Sequence, residues 1–187
     1  VVSFLAYAII GAFLLAERWL RRDTAARSLE RGVGDRGTTL LIGVSFGLAL
    51  GGGALAIILR WGRDPGQRSS RRVGLAAMVV GLLLRIWAAR TLGRYYTRTL
   101  KVAPDQPVVR DGPYQIVRHP GYLADLVLWI GFGLAIGSQW LTALITASMA
   151  VAYGRRIAAE EALLVESLGD AYRTYQRHTW RLLPPIY

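Results

Sequence analysis

The stretch from Thr38 to Leu59, TTLLIGVSFGLALGGGALAIIL, runs for 22 residues without a charged side chain. Crossing the hydrocarbon of a bilayer takes about 20 apolar residues in a helix. A helix also satisfies its own backbone polar groups, which a lipid surround demands. The stretch therefore predicts a membrane-spanning helix.

Working outward, Val1 to Leu20 is uncharged up to Glu17, and Val73 to Leu92 is interrupted only by Arg85 and Arg90. Both reach spanning length. The first block lacks a basic start and a small-residue cleavage site, so it reads as a retained helix and not a signal peptide. Two shorter apolar blocks follow, Tyr122 to Ile136 and Leu141 to Tyr153, parted by Gly137-Ser138-Gln139. They predict a helical hairpin. The expected architecture is an all-α integral membrane bundle of about five spans, the last two a hairpin, followed by an amphipathic cytoplasmic helix. No alternating strand and no glycine-rich strand-to-helix turn is present, so a soluble dinucleotide-binding fold is not expected.

Composition agrees. Hydrophobic residues make up 53% of the 187 and the net charge is +11, with Lys101 the single lysine. The arginines flank the apolar blocks, which points to an anionic membrane surface; no nucleic-acid partner is expected. The absence of cysteine excludes disulfides, thiolate zinc sites and cysteine nucleophiles. Arg18, Arg21, Arg22, Arg27, Arg31 and Arg36 follow the first block, and Arg94, Arg98, Lys101, Arg110 and Arg118 follow the third. The positive-inside rule then puts both segments and the C-terminus in the cytoplasm, and the N-terminus and hairpin turn outside. Arg60, Arg63, Arg68, Arg71 and Arg72 oppose this arrangement. Gly43, Gly47 and Gly51, four residues apart, predict a stripe against which a neighbouring helix packs closely. Gly51-Gly52-Gly53 is not a phosphate loop, because no strand precedes it and no Lys-Ser/Thr follows.

Two polar constellations carry the candidate chemistry. The first is Lys101 to Tyr122, KVAPDQPVVRDGPYQIVRHPGY, in which Pro104, Pro107, Pro113 and Pro120 prevent one continuous helix. Asp111-Gly112-Pro113-Tyr114 is a turn signal. Pro120 suits a first helical turn, whose free N–H groups favour an anionic group nearby. His119 stands at that start, either as a cap or as part of a ligand site. The second constellation is Arg155 to Arg177. Ile157, Leu164, Leu168, Ala171 and Tyr175 share a helical stripe, with Glu166, Asp170, Arg173 and Arg177 opposite. Glu160 and Glu161 fall within or beside the apolar stripe, where carboxylates are costly unless paired or liganded. An Arg156–Glu160 pair one turn apart is the structural reading; a ligand site is the functional one. Arg85, a cation inside an apolar block, calls for a partner, and Asp125 is the candidate. His119 and His178 are the only histidines, too few ligands for a metal site, and adjacent carboxylates on one helix cannot straddle a sugar.

These pieces together resemble the isoprenylcysteine carboxyl methyltransferase family. Gly112-Pro113-Tyr114 and Arg118-His119-Pro120-Gly121-Tyr122 match, followed by a hydrophobic hairpin, Arg156 through Glu160-Glu161, Leu168-Gly169, Tyr172, Tyr175 and Pro184-Pro185. The resemblance spans residues 101–187; the first three blocks match only as apolar helices. It implies a single membrane methyltransferase domain, with three N-terminal spans over 1–93 and a catalytic half over 94–187. It implies S-adenosylmethionine as cofactor, held at Val108, Val109, Tyr114, His119, Pro120, Gly121, Tyr122, Glu160 and Glu161 in a pocket facing the cytoplasm. Arg156 takes the substrate side, with Arg156 and Glu160 at the reacting centre. Where the family usually has histidine this chain has Gln106, which can still contact the cofactor by hydrogen bonds but cannot take a proton near neutral pH. The implied acceptor is lipophilic, first the carboxylate of an isoprenylcysteine-like molecule, which needs no general base. A phospholipid amine or a small lipophilic thiol is the runner-up, and a non-enzymatic scaffold binding anionic lipid is the reading of another class.

Overall fold

The computed structural model describes residues 1–21, 35, 37–60, 68–97, 100, 102–103 and 105–185. Among these the chain is all-α. Its helices are α1 (Val2–Leu20), α2 (Thr38–Ile58), α3 (Arg68–Leu92), α4 (Pro120–Ile136), α5 (Gln139–Leu168) and α6 (Asp170–His178). Tight 3-10 turns lie at Gly93–Tyr95 and Gly112–Gln115. The helices α1, α2 and α3 are long and apolar enough to cross a membrane. Their outward faces carry Leu15, Leu48, Leu55, Val80 and Leu83, all exposed, as a lipid-facing surface would.

The fourth helix is the centre of the bundle. Leu128, Trp129, Phe132 and Ala135 are buried, and Ala6, Ile10 and Phe13 of α1, Ala49 of α2, Met78 of α3 and Ile145 and Met149 of α5 close round them. The tightest crossing is between α3 and α4. A Cβ at Gly74 would lie 2.6 Å from the Gly131 carbonyl, and one at Gly81 would lie 2.7 Å from the Ala124 carbonyl. The close-packing stripe expected on α2 is therefore misplaced. Gly43, Gly47 and Gly51 are exposed, with nothing within 4 Å of a Cβ. The buried side of α2 is Ser45, Ala49, Gly53 and Ala56, because hydropathy alone does not say which face of an apolar helix meets its neighbours.

Arg71 ties one end of the bundle together. Its side chain donates to the Ala135 carbonyl at 3.0 Å and to the Ser3 hydroxyl at 2.9 Å. The starts of α1 and α3 and the hairpin turn thus share one end, consistent with their expected grouping. At that turn Gly137 adopts φ 86°, a left-handed conformation that closes α4, and Ser138 caps α5 by accepting from Leu141 N. Of the arginines and the lysine used for orientation, Arg22, Arg27, Arg31, Arg36, Arg63, Arg98 and Lys101 lie outside the described residues.

The hairpin's second arm does not stop where its apolar block stops. It continues unbroken for 30 residues, Gln139–Leu168, because no proline intervenes and Gly154 alone costs only about 1 kcal/mol. The break comes at Gly169, with φ 57°. It resets the helical phase, so Tyr172 and Tyr175 are buried on α6 while Ala171, expected on the apolar stripe, is exposed.

Candidate active site

The site lies at the end opposite Arg71, where the loop before α4 meets the second half of α5. Tyr114 N donates to the Asp111 carbonyl at 3.0 Å in the turn expected there. The C-terminal strap pairs with this loop: Arg118 N donates to Trp180 O at 2.8 Å and Trp180 N to Ile116 O at 3.0 Å. From α6, the Tyr175 hydroxyl donates to the Tyr114 carbonyl at 2.6 Å. Burial pushes the Tyr175 phenol up to about 12 and raises Tyr114 and Tyr172, so these hydroxyls stay protonated at neutral pH.

Loop, α5 and α6 enclose a cavity of about 560 Å³ with α1, α2 and α3. Of the residues expected in the site, Gln106, Val108, Val109, Tyr114, His119, Gly121, Tyr122, Arg156 and Glu160 line it. Pro120 and Glu161 do not. Pro120 is fully buried as the first residue of α4. Glu161 stands behind the wall. Its carboxylate accepts from Arg118 Nε at 2.8 Å, pairs with Arg181 at 2.9 Å, and meets His119 Nε2 at 3.3 Å. Burial would raise the Glu161 carboxyl, but the hydrogen bonds from His119 and Arg118 outweigh it and hold the group down at about 2. His119 makes no side-chain cap at the start of α4; its imidazole is turned to Glu161 and stacks 5.6 Å from Tyr122.

At the cavity's centre the Tyr122 hydroxyl donates to Glu160 Oε2 at 2.5 Å and accepts from Arg156 Nε at 3.2 Å. Arg156 and Glu160 are thus bridged through a phenol; of the two readings left open by their spacing, the direct ion pair is not the contact formed. The Arg156 guanidinium instead reaches Asp35 Oδ1 at 2.7 Å, Thr38 Oγ1 at 3.0 Å and Thr39 Oγ1 at 3.1 Å. Asp35 is 1% exposed. Burial would raise its carboxyl; donation from Thr39 and Thr38 and the charge of Arg156 lower it. Gln106 accepts from Ala103 N at 3.2 Å, so its side-chain carbonyl shapes the loop at the cavity wall.

A second cluster forms the wall between α1, α3 and α4. Arg85 Nε donates to Glu17 Oε1 at 2.8 Å, and a terminal nitrogen of Arg85 lies 3.4 Å from Asp125 Oδ2. The Arg85–Asp125 pairing read from the sequence is present, with Glu17 as a further partner. Glu17 also accepts from the Tyr96 hydroxyl at 2.6 Å and pairs with Arg21. Asp35, Glu17 and Tyr96 are what sequence reasoning missed. The signal available was slight: Glu17 is the sole acid of its apolar block, and Asp35 sits among arginines three residues before the predicted α2.

Set beside known proteins, the chain has relatives. The profile of the isoprenylcysteine carboxyl methyltransferase (ICMT) family matches residues 73–166. A probable protein-S-isoprenylcysteine O-methyltransferase of Oryza sativa subsp. indica is 28% identical over 116 residues, 61% of this chain and 61% of that one. A protein-S-isoprenylcysteine O-methyltransferase of Schizosaccharomyces pombe is 30% identical over 114 residues, 60% of this chain and 48% of that protein. The matched part is thus about half to three fifths of these relatives' length. The solved structure of a eukaryotic intramembrane Ras methyltransferase, ICMT, superposes with a TM-score of 0.66 at 19% identity, covering 97% of this chain and 68% of that one. The fold is therefore shared. Glu17 and Asp35 lie outside the residues the family profile matches.

Proposed function

The chain belongs to the isoprenylcysteine carboxyl methyltransferase family, and from that premise we propose that it is an integral membrane enzyme moving a methyl group from S-adenosylmethionine to the carboxylate of an isoprenylcysteine-like acceptor. The whole chain acts as one unit, with five spans and the active site on the cytoplasmic face. The observation that carries this reading is the composition of one cavity. Its floor is the loop, the first turn of α4 and α5, with Gln106, Tyr114, His119, Tyr122 and Glu160. Its flank is Phe13 and Leu14 of α1 with Ile42, Gly43 and Phe46 of α2, of which Leu14 and Gly43 also face outward. A polar donor and a lipophilic acceptor can therefore meet in one space, of a size that suits small-molecule sites.

The floor fits the cofactor. Val108 and Val109 line it, His119 and Tyr122 present stacked rings, and Glu160 presents a carboxylate that suits hydroxyl or ammonium groups. When bound, S-adenosylmethionine supplies the methyl: its carbon–sulfur bond breaks as the carbon–oxygen bond forms, leaving a neutral thioether and a methyl ester, and no proton moves. The protein's share is position and exclusion of water. The Tyr122 hydroxyl locks Glu160 and Arg156 to each other, and Arg156 faces the acceptor side. Glu161 fixes His119 and Arg118 from behind without meeting the ligand. Tyr172 and Tyr175 of α6 cover the cavity.

Titrating purified protein in detergent with S-adenosylmethionine is expected to give saturable one-site heat. No heat at millimolar cofactor would leave the lipid-binding scaffold as the better reading. Orientation has its own check, since the chain lacks cysteine. Cysteines placed at Asp111 and His178 are expected to react with an impermeant thiol reagent only from the cytoplasmic side, and one at Ser138 only from the other. Labelling of all three from one side would contradict five spans.

A further inference from the structure

Among the described residues Asp35 is the most deeply buried acid, and it stands behind the cavity without lining it. It lies three residues ahead of α2, in the connection from α1. All its side-chain hydrogen bonds run through one oxygen. Oδ1 accepts from Thr39 N at 3.2 Å, Thr39 Oγ1 at 2.7 Å, Thr38 Oγ1 at 3.0 Å and Arg156 Nη1 at 2.7 Å. Among the described residues Oδ2 has no hydrogen-bond partner. Three of the donors belong to the first turn of α2, where an anion suits the positive end of the helix. The fourth is a cation brought over from α5. The two threonine hydroxyls close the ring, each also accepting from Arg156 Nη1.

A helix start can be held by its own threonines and a carboxylate; it needs no arginine from another helix. The arginine, in turn, has an acid nearer in sequence. Glu160 is one turn further along α5, at the spacing where oppositely charged side chains pair. The structure keeps the two apart: Arg156 Nη1 goes to Asp35, and the Tyr122 hydroxyl stands between Nε and Glu160 Oε2. We propose that Asp35 is a positioning residue, which holds Arg156 on the α2 side of the cavity and so prevents it from pairing with Glu160. The proposal rests on the methyltransferase reading and adds what keeps its two charges separate. Glu160 is left to the donor and Arg156 to the acceptor. With the Asp35 charge removed, the guanidinium turns about the Tyr122 phenol to Glu160, and that one contact withdraws both groups from their ligands. The first-turn threonines and Asp35 thereby connect the start of α2 to the reacting centre on α5.

The test combines Asp35→Asn, Asp35→Ala and Arg156→Gln. Asparagine can set its oxygen at the Oδ1 position and its nitrogen at the partnerless Oδ2 position, so it keeps the hydrogen bonds of the α2 start and loses the charge. Purified variants in detergent are titrated with S-adenosylmethionine by calorimetry, and initial rates are measured against N-acetyl-S-farnesylcysteine. Asp35→Asn is expected to lower kcat/KM for the acceptor about tenfold and donor affinity about fivefold, as a charge-assisted hydrogen bond gives way to a neutral one. Its thermal unfolding should stay close to wild type. Asp35→Ala should lower both constants further. Adding Arg156→Gln to either variant should return donor affinity to near the wild-type value while turnover stays lost, because no guanidinium is left to occupy Glu160. A carboxylate that only holds the start of α2 gives no such recovery. Where Asp35→Ala does not fold, Asp35→Asn with and without Arg156→Gln makes the same comparison. Donor affinity that stays low in the double variants, or wild-type constants in both Asp35 variants, overturns the positioning role. An active wild type beside unaffected Asp35 variants keeps the enzyme and loses the positioning. A wild type that neither binds S-adenosylmethionine nor methylates the acceptor removes the methyltransferase reading and the proposal with it.

Discussion

Glu160→Gln is expected to weaken S-adenosylmethionine binding by roughly ten- to a hundred-fold, the worth of one charge-assisted hydrogen bond of about 1.5–3 kcal/mol. The carboxylate is half-buried, lines the cavity, and has one oxygen held by Tyr122 at 2.5 Å. Glutamine keeps the shape and loses the charge, so the loss reports on the ligand and not on packing. His119→Ala should act similarly, by removing the ring that stacks on Tyr122 and lines the same wall. Cofactor titrations on both variants, with thermal unfolding as the check on folding, decide it. Unchanged affinity in both would remove the two residues from the site.

A larger effect, on the fold itself, is expected from Gly81→Leu. The new Cβ would lie 2.7 Å from the Ala124 carbonyl and 2.8 Å from Leu128 N, both backbone atoms that cannot step aside. The α3–α4 crossing would have to open, and Met78 and Leu128 would lose their packing. Overpacking typically costs about 1–3 kcal/mol and more where, as here, backbone must move. Gly43→Leu is the control, because nothing lies within 4 Å of its Cβ. Thermal unfolding and size-exclusion of detergent-solubilised protein should show Gly81→Leu lost or strongly destabilised and Gly43→Leu near wild type. Equal tolerance of both would contradict the crossing.

These two glycines also mark what a sequence can say here. The apolar runs revealed α1, α2 and α3 because length and hydropathy alone meet the demand of a bilayer. Which side of each helix meets another is a tertiary fact, and a four-residue glycine repeat on α2 pointed to the wrong one. On the site, the loop from Gln106 to Tyr122 and the Arg156–Glu160 segment were legible, because prolines, an imidazole and carboxylates on an apolar helix are costly without a purpose. The partners of Arg156 were not. Asp35 lies 121 residues away in sequence, and no local period connects them. Glu161 shows a finer limit: it shares the stripe of Glu160, but one step round the helix turns it from the cavity to the back of His119.

The central claim is that this cavity joins a methyl donor to a lipophilic carboxylate. The most direct measurement incubates purified protein with S-adenosylmethionine labelled in the methyl group and N-acetyl-S-farnesylcysteine, and follows label into the organic phase. The account predicts a product that releases volatile methanol on mild base, as a methyl ester does. Its formation rate should stay flat across neutral pH, since no proton leaves the acceptor. Label in a base-stable product, or a rate that climbs with pH as a thiol or amine acceptor would require, would contradict carboxylate methylation. Saturable donor binding without transfer to any lipophilic acceptor would contradict the claim as a whole.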